Sequence, residues 1–220
     1  MFDFVFERAS GCSGQVALVM LPGAGMSPSD FLVNGFVDAM RRRNLQVDAV
    51  MVGVTSADYV SVDFGQRLKR QLLDALNGYS CIWLAGISLG AFGALRLLQE
   101  GMERVGGMLL LSPFLSTRGT VARVAGEGGL DRWSPSAGER LNDETALLCW
   151  LKEHPQAFSQ ELYLGWGADD RYSLSGELLA ARLPEDRVFR IPGNHDWPTW
   201  NSLWQEMLDA VPFSAGEEVR

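Results

Sequence analysis

Histidine is nearly absent from this chain: 220 residues carry two, His154 and His195. Two isolated histidines and three cysteines without a C-x-x-C pair make no metal cluster, so no metal or organic cofactor is expected. Basic runs are short as well. None exceeds Arg41-Arg42-Arg43, and the formal net charge is −8. Without a basic stripe, an acidic chain lacks the phosphate neutralisation that nucleic-acid binding requires, which excludes that partner class. The arginine triplet reads instead as a helix end, where cations favour the carbonyl end of the dipole. No apolar run approaches the ~20 residues that cross a bilayer, so no membrane span is expected. MFDFVFERAS carries an acid at its third position and no apolar h-region. No signal peptide is read there, and a reducing, cytoplasmic setting is the expectation. Cys12, Cys81 and Cys149 form no disulfide framework, and Cys81 and Cys149 stand in apolar contexts that suit inert core thiols.

What is present fits one compact domain. The composition is 47% hydrophobic and 21% charged, and the length allows a substantial core. Apolar runs that read as strands are QVALVML (15–21), VDAVMVGV (47–54), SCIWLAG (80–86), VGGMLLLSP (105–113), ELYLGWG (161–167) and DRVFRIPG (186–193), with one more candidate at 2–7. Helical patterns separate them: one from Ser27 or Ser29 to the arginine triplet, then others near 62–77, 89–101, 173–182 and 198–210. Strands alternating with helices imply βαβ units and right-handed crossovers. The expected fold class is α/β: a mostly parallel sheet of about six to seven strands with helices on both faces. Segment 114–160 breaks the rhythm with Gly119, Gly126, Gly128, Gly129, Pro135 and Gly138, and reads as an excursion or small cap over one edge.

Ser88 lies in AGISLGAF (85–92), between two glycines, where a strand runs into a helix. Ligands of parallel sheets bind beyond the carboxyl ends of the strands, which is where this serine sits. The turn either exposes a nucleophilic hydroxyl in front of a helix N-terminus or merely caps the helix. A nucleophile needs a base. His154 ends a polar helix before a proline, whereas His195 follows the last strand and can face Ser88. The base needs a carboxylate, and Asp169 and Asp170 both follow strand 161–167; Asp196 and Asp58 are weaker candidates. An oxyanion would take one N–H from Leu89 and a second from Gly23, Ala24 or Gly25, unless that stretch is an ordinary Pro-Gly turn.

Four motifs, PGAG (22–25), G-I-S-L-G (86–90), GADD (167–170) and GNHDW (193–197), stand in the order and spacing of the α/β-hydrolase superfamily. The chain resembles that superfamily from about Gln15 to Pro212, and HDWPTW looks like small carboxylesterases and esterase-D-like members. Pro22 stands where the superfamily's oxyanion motif has histidine. The resemblance implies the α/β-hydrolase fold, a Ser88–His195–Asp170 triad with Asp169 as alternate acid, and an oxyanion hole of Ala24 and Leu89 N–H groups. The expected activity is hydrolysis of a small-molecule carboxylic ester or thioester through an acyl-enzyme. Met26, Phe114, Trp133 and Trp150 are candidates for the substrate pocket, although aromatic residues of the excursion also suit plain packing. A non-catalytic module of the same fold, binding a small ligand or a protein partner, is the alternative. A third possibility keeps the triad for carbon–carbon cleavage or perhydrolysis.

Overall fold

Helices and strands alternate along almost the whole chain in a computed structural model that describes residues 1–10, 15–136, 138, 143–158 and 161–213. In order they are β1 (Asp3–Glu7), β2 (Val16–Leu21), α1 (Pro28–Val33), α2 (Phe36–Arg42), β3 (Asp48–Gly53), α3 (Ser56–Tyr59), α4 (Phe64–Ala75), β4 (Cys81–Ile87) and α5 (Leu89–Gln99). Then follow β5 (Val105–Leu111), α6 (Arg118–Gly126), α7 (Gly129–Arg132), α8 (Asp143–Glu153), β6 (Glu161–Gly167), α9 (Ser173–Ala180), β7 (Val188–Ile191) and α10 (Trp197–Ala210). The strands form one sheet in the order β1-β3-β2-β4-β5-β6-β7. All neighbours are parallel except the edge pair β1 and β3. This is the mostly parallel α/β architecture expected from the apolar runs.

Successive residues of a strand face opposite sides, so the central strands must be apolar throughout to cover both. Ile82 and Leu84 of β4 join one core cluster with Leu68 and Leu72 of α4, Ala91 of α5 and Leu179 of α9. Cys81, Trp83 and Ala85, on the other face, join Phe36 and Met40 of α2 with Leu203 and Trp204 of α10. Burying each leucine-sized side chain contributes about 1.5–3 kcal/mol, which fixes the register of every strand. Cys81 and Cys149 are buried and are not joined in a disulfide; Cys12 lies outside the described residues.

One expectation needs adjustment. The helix read as continuous from Ser27 or Ser29 to Arg43 is divided into α1 and α2, because Gly35 adopts φ 74°. Asn34-Gly35 therefore works as a helix stop inside an apolar stripe that looked unbroken. Within segment 114–160, Val121, Val124, Leu130, Leu147 and Leu148 are buried in the cluster that contains residues of α5 and α9. Among the described residues, no helix is long and apolar enough to cross a membrane.

The chain passes from β2 outward to β3 and then back across to β4 on the other side of β2. Such a reversal opens a crevice at the carboxyl ends of β2 and β4.

Candidate active site

Ser88 follows β4 at that crevice with φ 54° and ψ −114°, a left-side backbone conformation that costs an L-residue about 1–3 kcal/mol. Neighbouring strands hold it there. Its N–H donates to Leu111 O at 2.8 Å, and its carbonyl accepts the Phe114 N–H at 3.1 Å. The two flanking glycines are steric necessities. A methyl at Gly86 would reach 2.5 Å from Ala91 N, and one at Gly90 would reach 2.6 Å from the Leu21 carbonyl carbon. The hydroxyl makes no capping bond to α5. It points at His195 Nε2, 2.9 Å away.

His195 lies on the turn between β7 and α10, and its Nδ1 is 2.8 and 3.0 Å from the two carboxylate oxygens of Asp170. A carboxylate has no proton to give, so Nδ1–H donates and Nε2 is left to accept the Ser88 proton. Asp170 is 3% exposed. Burial works to raise its pKa, but hydrogen bonds from His195, Ser112 and the Tyr172 N–H, with the charge of His195, outweigh burial and hold it below the usual carboxylate value. The Tyr172 N–H bond is 2.7 Å. Asp169, by contrast, is exposed and uses its N–H on Gly193 O. Asp196 caps α10 through the Thr199 N–H, and Asp58 closes a capping box with Thr55. His154 stacks on Trp150 with centroids 5.1 Å apart, away from this constellation.

Three supporting residues escape a linear reading. Ser112, just beyond β5, has φ 47° and is buried. Its hydroxyl accepts Trp200 Nε1–H at 3.0 Å and donates to Asp170. The Trp200 ring meets the His195 ring edge-on at 5.1 Å, and Tyr172 meets it at 4.9 Å from another side. Trp200 thus links Ser112 to the His195 ring. The available signal was the serine in LLLSP, another polar residue at a strand's carboxyl end.

Leu89 is the first residue of α5, so helix geometry leaves its N–H without an intrahelical acceptor. The 22–25 loop rests directly on this turn: a methyl at Gly23 would sit 3.2 Å from Ile87 O, and one at Gly90 would sit 2.9 Å from Pro22 O. Gly25 supplies φ 74° for the reversal that carries Ala24. Tyr59 fixes the loop from behind, its hydroxyl donating to Pro22 O at 2.8 Å. Burial holds that phenol far above its ordinary pKa, so it remains a donor. Met26 folds its sulfur back to 3.1 Å from Gly23 N and packs toward α1 and α2.

Beside Leu89 opens a cleft of about 280 Å³, lined chiefly by Val60, Val62, Phe92 and Phe114. Of the aromatic pocket candidates, Phe114 faces this cleft. Trp133 is fully buried in the core, with the Arg123 guanidinium 5.8 Å above its ring. Trp150 lines a separate hollow with Leu98 and Gly101, at the far end of α5. An 11-residue helix is about 16 Å long, which places that hollow well away from Ser88. Among the described residues, no three His, Cys, Asp or Glu side chains are grouped as a metal site.

No family model matches the chain, and no curated protein matches it in sequence. Solved structures do match in shape. A ferulic acid esterase is 12% identical with a TM-score of 0.65, over 96% of this chain and 98% of its own. A fluorophosphonate-binding serine hydrolase from Staphylococcus aureus is 13% identical, TM-score 0.61, over 95% and 97%. A monoacylglycerol lipase from Paleococcus ferrophilus is 14% identical, TM-score 0.61, over 97% and 100%. Likeness at such low identity establishes the fold.

Proposed function

We propose that this chain, which has the α/β-hydrolase fold, is a serine hydrolase that cleaves a carboxylic ester or thioester through an acyl-enzyme. One observation carries the proposal: a continuous hydrogen-bonded line from Ser88 Oγ through His195 to buried Asp170, begun on a strained strand–helix turn. Ser88 Oγ attacks the substrate carbonyl while His195 Nε2 takes its proton. The N–H groups of Leu89 and Ala24 hold the developing oxyanion, a role supported by the contact of loop 22–25 with the Ser88 turn. Asp170 keeps His195 in the accepting tautomer and stabilises the imidazolium that forms. His195 then gives its proton to the leaving oxygen or sulfur, and water attacks the acyl-enzyme by the reverse route. The cleft beside Leu89 receives the acyl group, and the start of segment 114–160 forms one of its walls.

A fluorophosphonate probe tests the nucleophile directly. Tryptic mass spectrometry is expected to find one phosphonyl adduct, on the peptide containing Ser88; an enzyme that stays unlabelled at Ser88 refutes the proposal.

Asp170→Asn tests the orienting carboxylate in two ways. kcat is expected to fall about 10³–10⁴-fold, because the amide favours the wrong tautomer of His195. Stability should respond to pH as well. A carboxyl held below its ordinary pKa contributes fully above about pH 4, and that contribution is lost as pH falls through the lowered folded-state value. Urea denaturation should therefore separate wild type from Asp170→Asn by about 2 kcal/mol at neutral pH, with the curves converging in acid.

A further inference from the structure

Two hollows lie near the triad, one reaching it at Leu89 and the other at Tyr172, and their linings differ. The first, beside Leu89, is lined mostly by apolar side chains, and the one arginine at it, Arg96, is paired with Glu100 at 3.9 Å. The second, of about 380 Å³, lies between α6 and α9 and is lined by Arg118, Arg171, Tyr172 and Leu174 among others. They share a dividing wall. The Phe114 and Tyr172 rings meet edge-on at 5.7 Å, and consecutive residues turn to opposite sides, Thr117 into the first hollow and Arg118 into the second.

The two arginines of the second hollow are among those that take no part in the ion pairs of the described residues. Arg43, Arg67, Arg123, Arg182, Arg187 and Arg190 each sit beside a carboxylate. Arg118 and Arg171 have no acidic partner among the described residues; Arg171 lies 5.2 Å over the Tyr172 ring. Both side chains are exposed, in a chain of net charge −8. Two unneutralised guanidinium groups at one hollow suit a carboxylate or phosphate, which they can grip with paired N–H donors.

Which end of a substrate each hollow receives follows from the proton path. The leaving atom must meet His195 Nε2, so the leaving group departs on the side of His195 and Tyr172, toward the two arginines. The acyl carbon bonds to Ser88 with its oxygen at the Leu89 N–H, which directs the acyl chain into the apolar cleft. That cleft is nearly twice the ~150 Å³ cavity that holds a benzene ring, so it admits an aromatic or medium-length acyl group. Resting on the serine-hydrolase reading, we infer that the substrate joins an apolar acyl group to an alcohol or thiol carrying a negative charge, with Arg118 and Arg171 binding that charge. In the step itself the Ser88 Oγ–acyl bond forms, the acyl–oxygen or acyl–sulfur bond breaks, and the Ser88 proton leaves with the anionic alcohol or thiol.

The test compares two hexanoate esters of similar size, one of 4-hydroxybenzoic acid and one of 4-hydroxybenzamide. Wild type is expected to prefer the carboxylate ester by about five- to tenfold in kcat/KM, and the preference should shrink as salt is raised. The Arg118→Gln/Arg171→Gln variant should bring the ratio near one. A wild type that hydrolyses both esters equally overturns this inference and leaves the hydrolase reading intact, as does a preference that survives in the double variant or is indifferent to salt. A wild type that hydrolyses neither overturns the hydrolase reading and this inference with it.

Discussion

Ser88→Ala is expected to lower kcat on p-nitrophenyl esters roughly a million-fold, since a triad acts as a unit and its nucleophile has no substitute. The proposed oxyanion donors and acyl cleft survive the substitution, so a residual rate above the uncatalysed one should remain. The variant should also fold normally, because alanine keeps the Cβ and loses one hydrogen bond to His195. A series from acetyl to decanoyl, run on both proteins, reads two properties at once. Wild-type activity lost in Ser88→Ala assigns the nucleophile, and the chain-length optimum measures the cleft walled by Val60, Val62, Phe92 and Phe114. Equal rates in the two proteins would make Ser88 a turn residue and would favour a ligand-binding module.

Gly90→Ala is expected to have the second largest effect, on folding and activity together. The added methyl would overlap the Leu21 carbonyl and crowd Pro22 O, all of it backbone at the end of β2. Flexible side chains can move aside at modest cost, but here the strand or the first turn of α5 must shift. Overpacking a core commonly costs about 1–3 kcal/mol, and a clash against two fixed backbones should exceed about 4 kcal/mol. Chemical denaturation measures that loss. Any protein that still folds should show depressed kcat, because the displaced loop is the one that carries Ala24. A variant as stable as wild type would mean that β2 and α5 do not meet as described.

Much of this arrangement could be read from one dimension because its signals are local. Apolar runs of strand length separated by helical stripes define a parallel sheet, and polar residues just after strands must then gather along one edge. Ser88, Asp170 and His195 each follow a strand, so their meeting was legible once the strands were. What escaped depended on neighbours distant in sequence. Ser112 looked like the end of an apolar run; its role beneath Asp170 arises from Trp200, 88 residues away. Trp133 and Trp150 were plausible cleft walls by composition, yet Trp133 lies in the core with Val121, Leu130 and Leu148, and Trp150 packs against that cluster. Gly35 was visible, but an apolar stripe that continued on both sides of it concealed the break between α1 and α2.

Ser88 and His195 are 107 residues apart in the chain, and the histidine comes after the last strand of the sheet. A growing polypeptide can therefore complete β1 to β6, with Ser88 already bent into its strained turn, while no base is within reach. On the proposed mechanism, the hydroxyl gains its base only when β7 joins the sheet and α10 docks against it. On that reading, a chain that ended before β7 would hold Ser88 without its base.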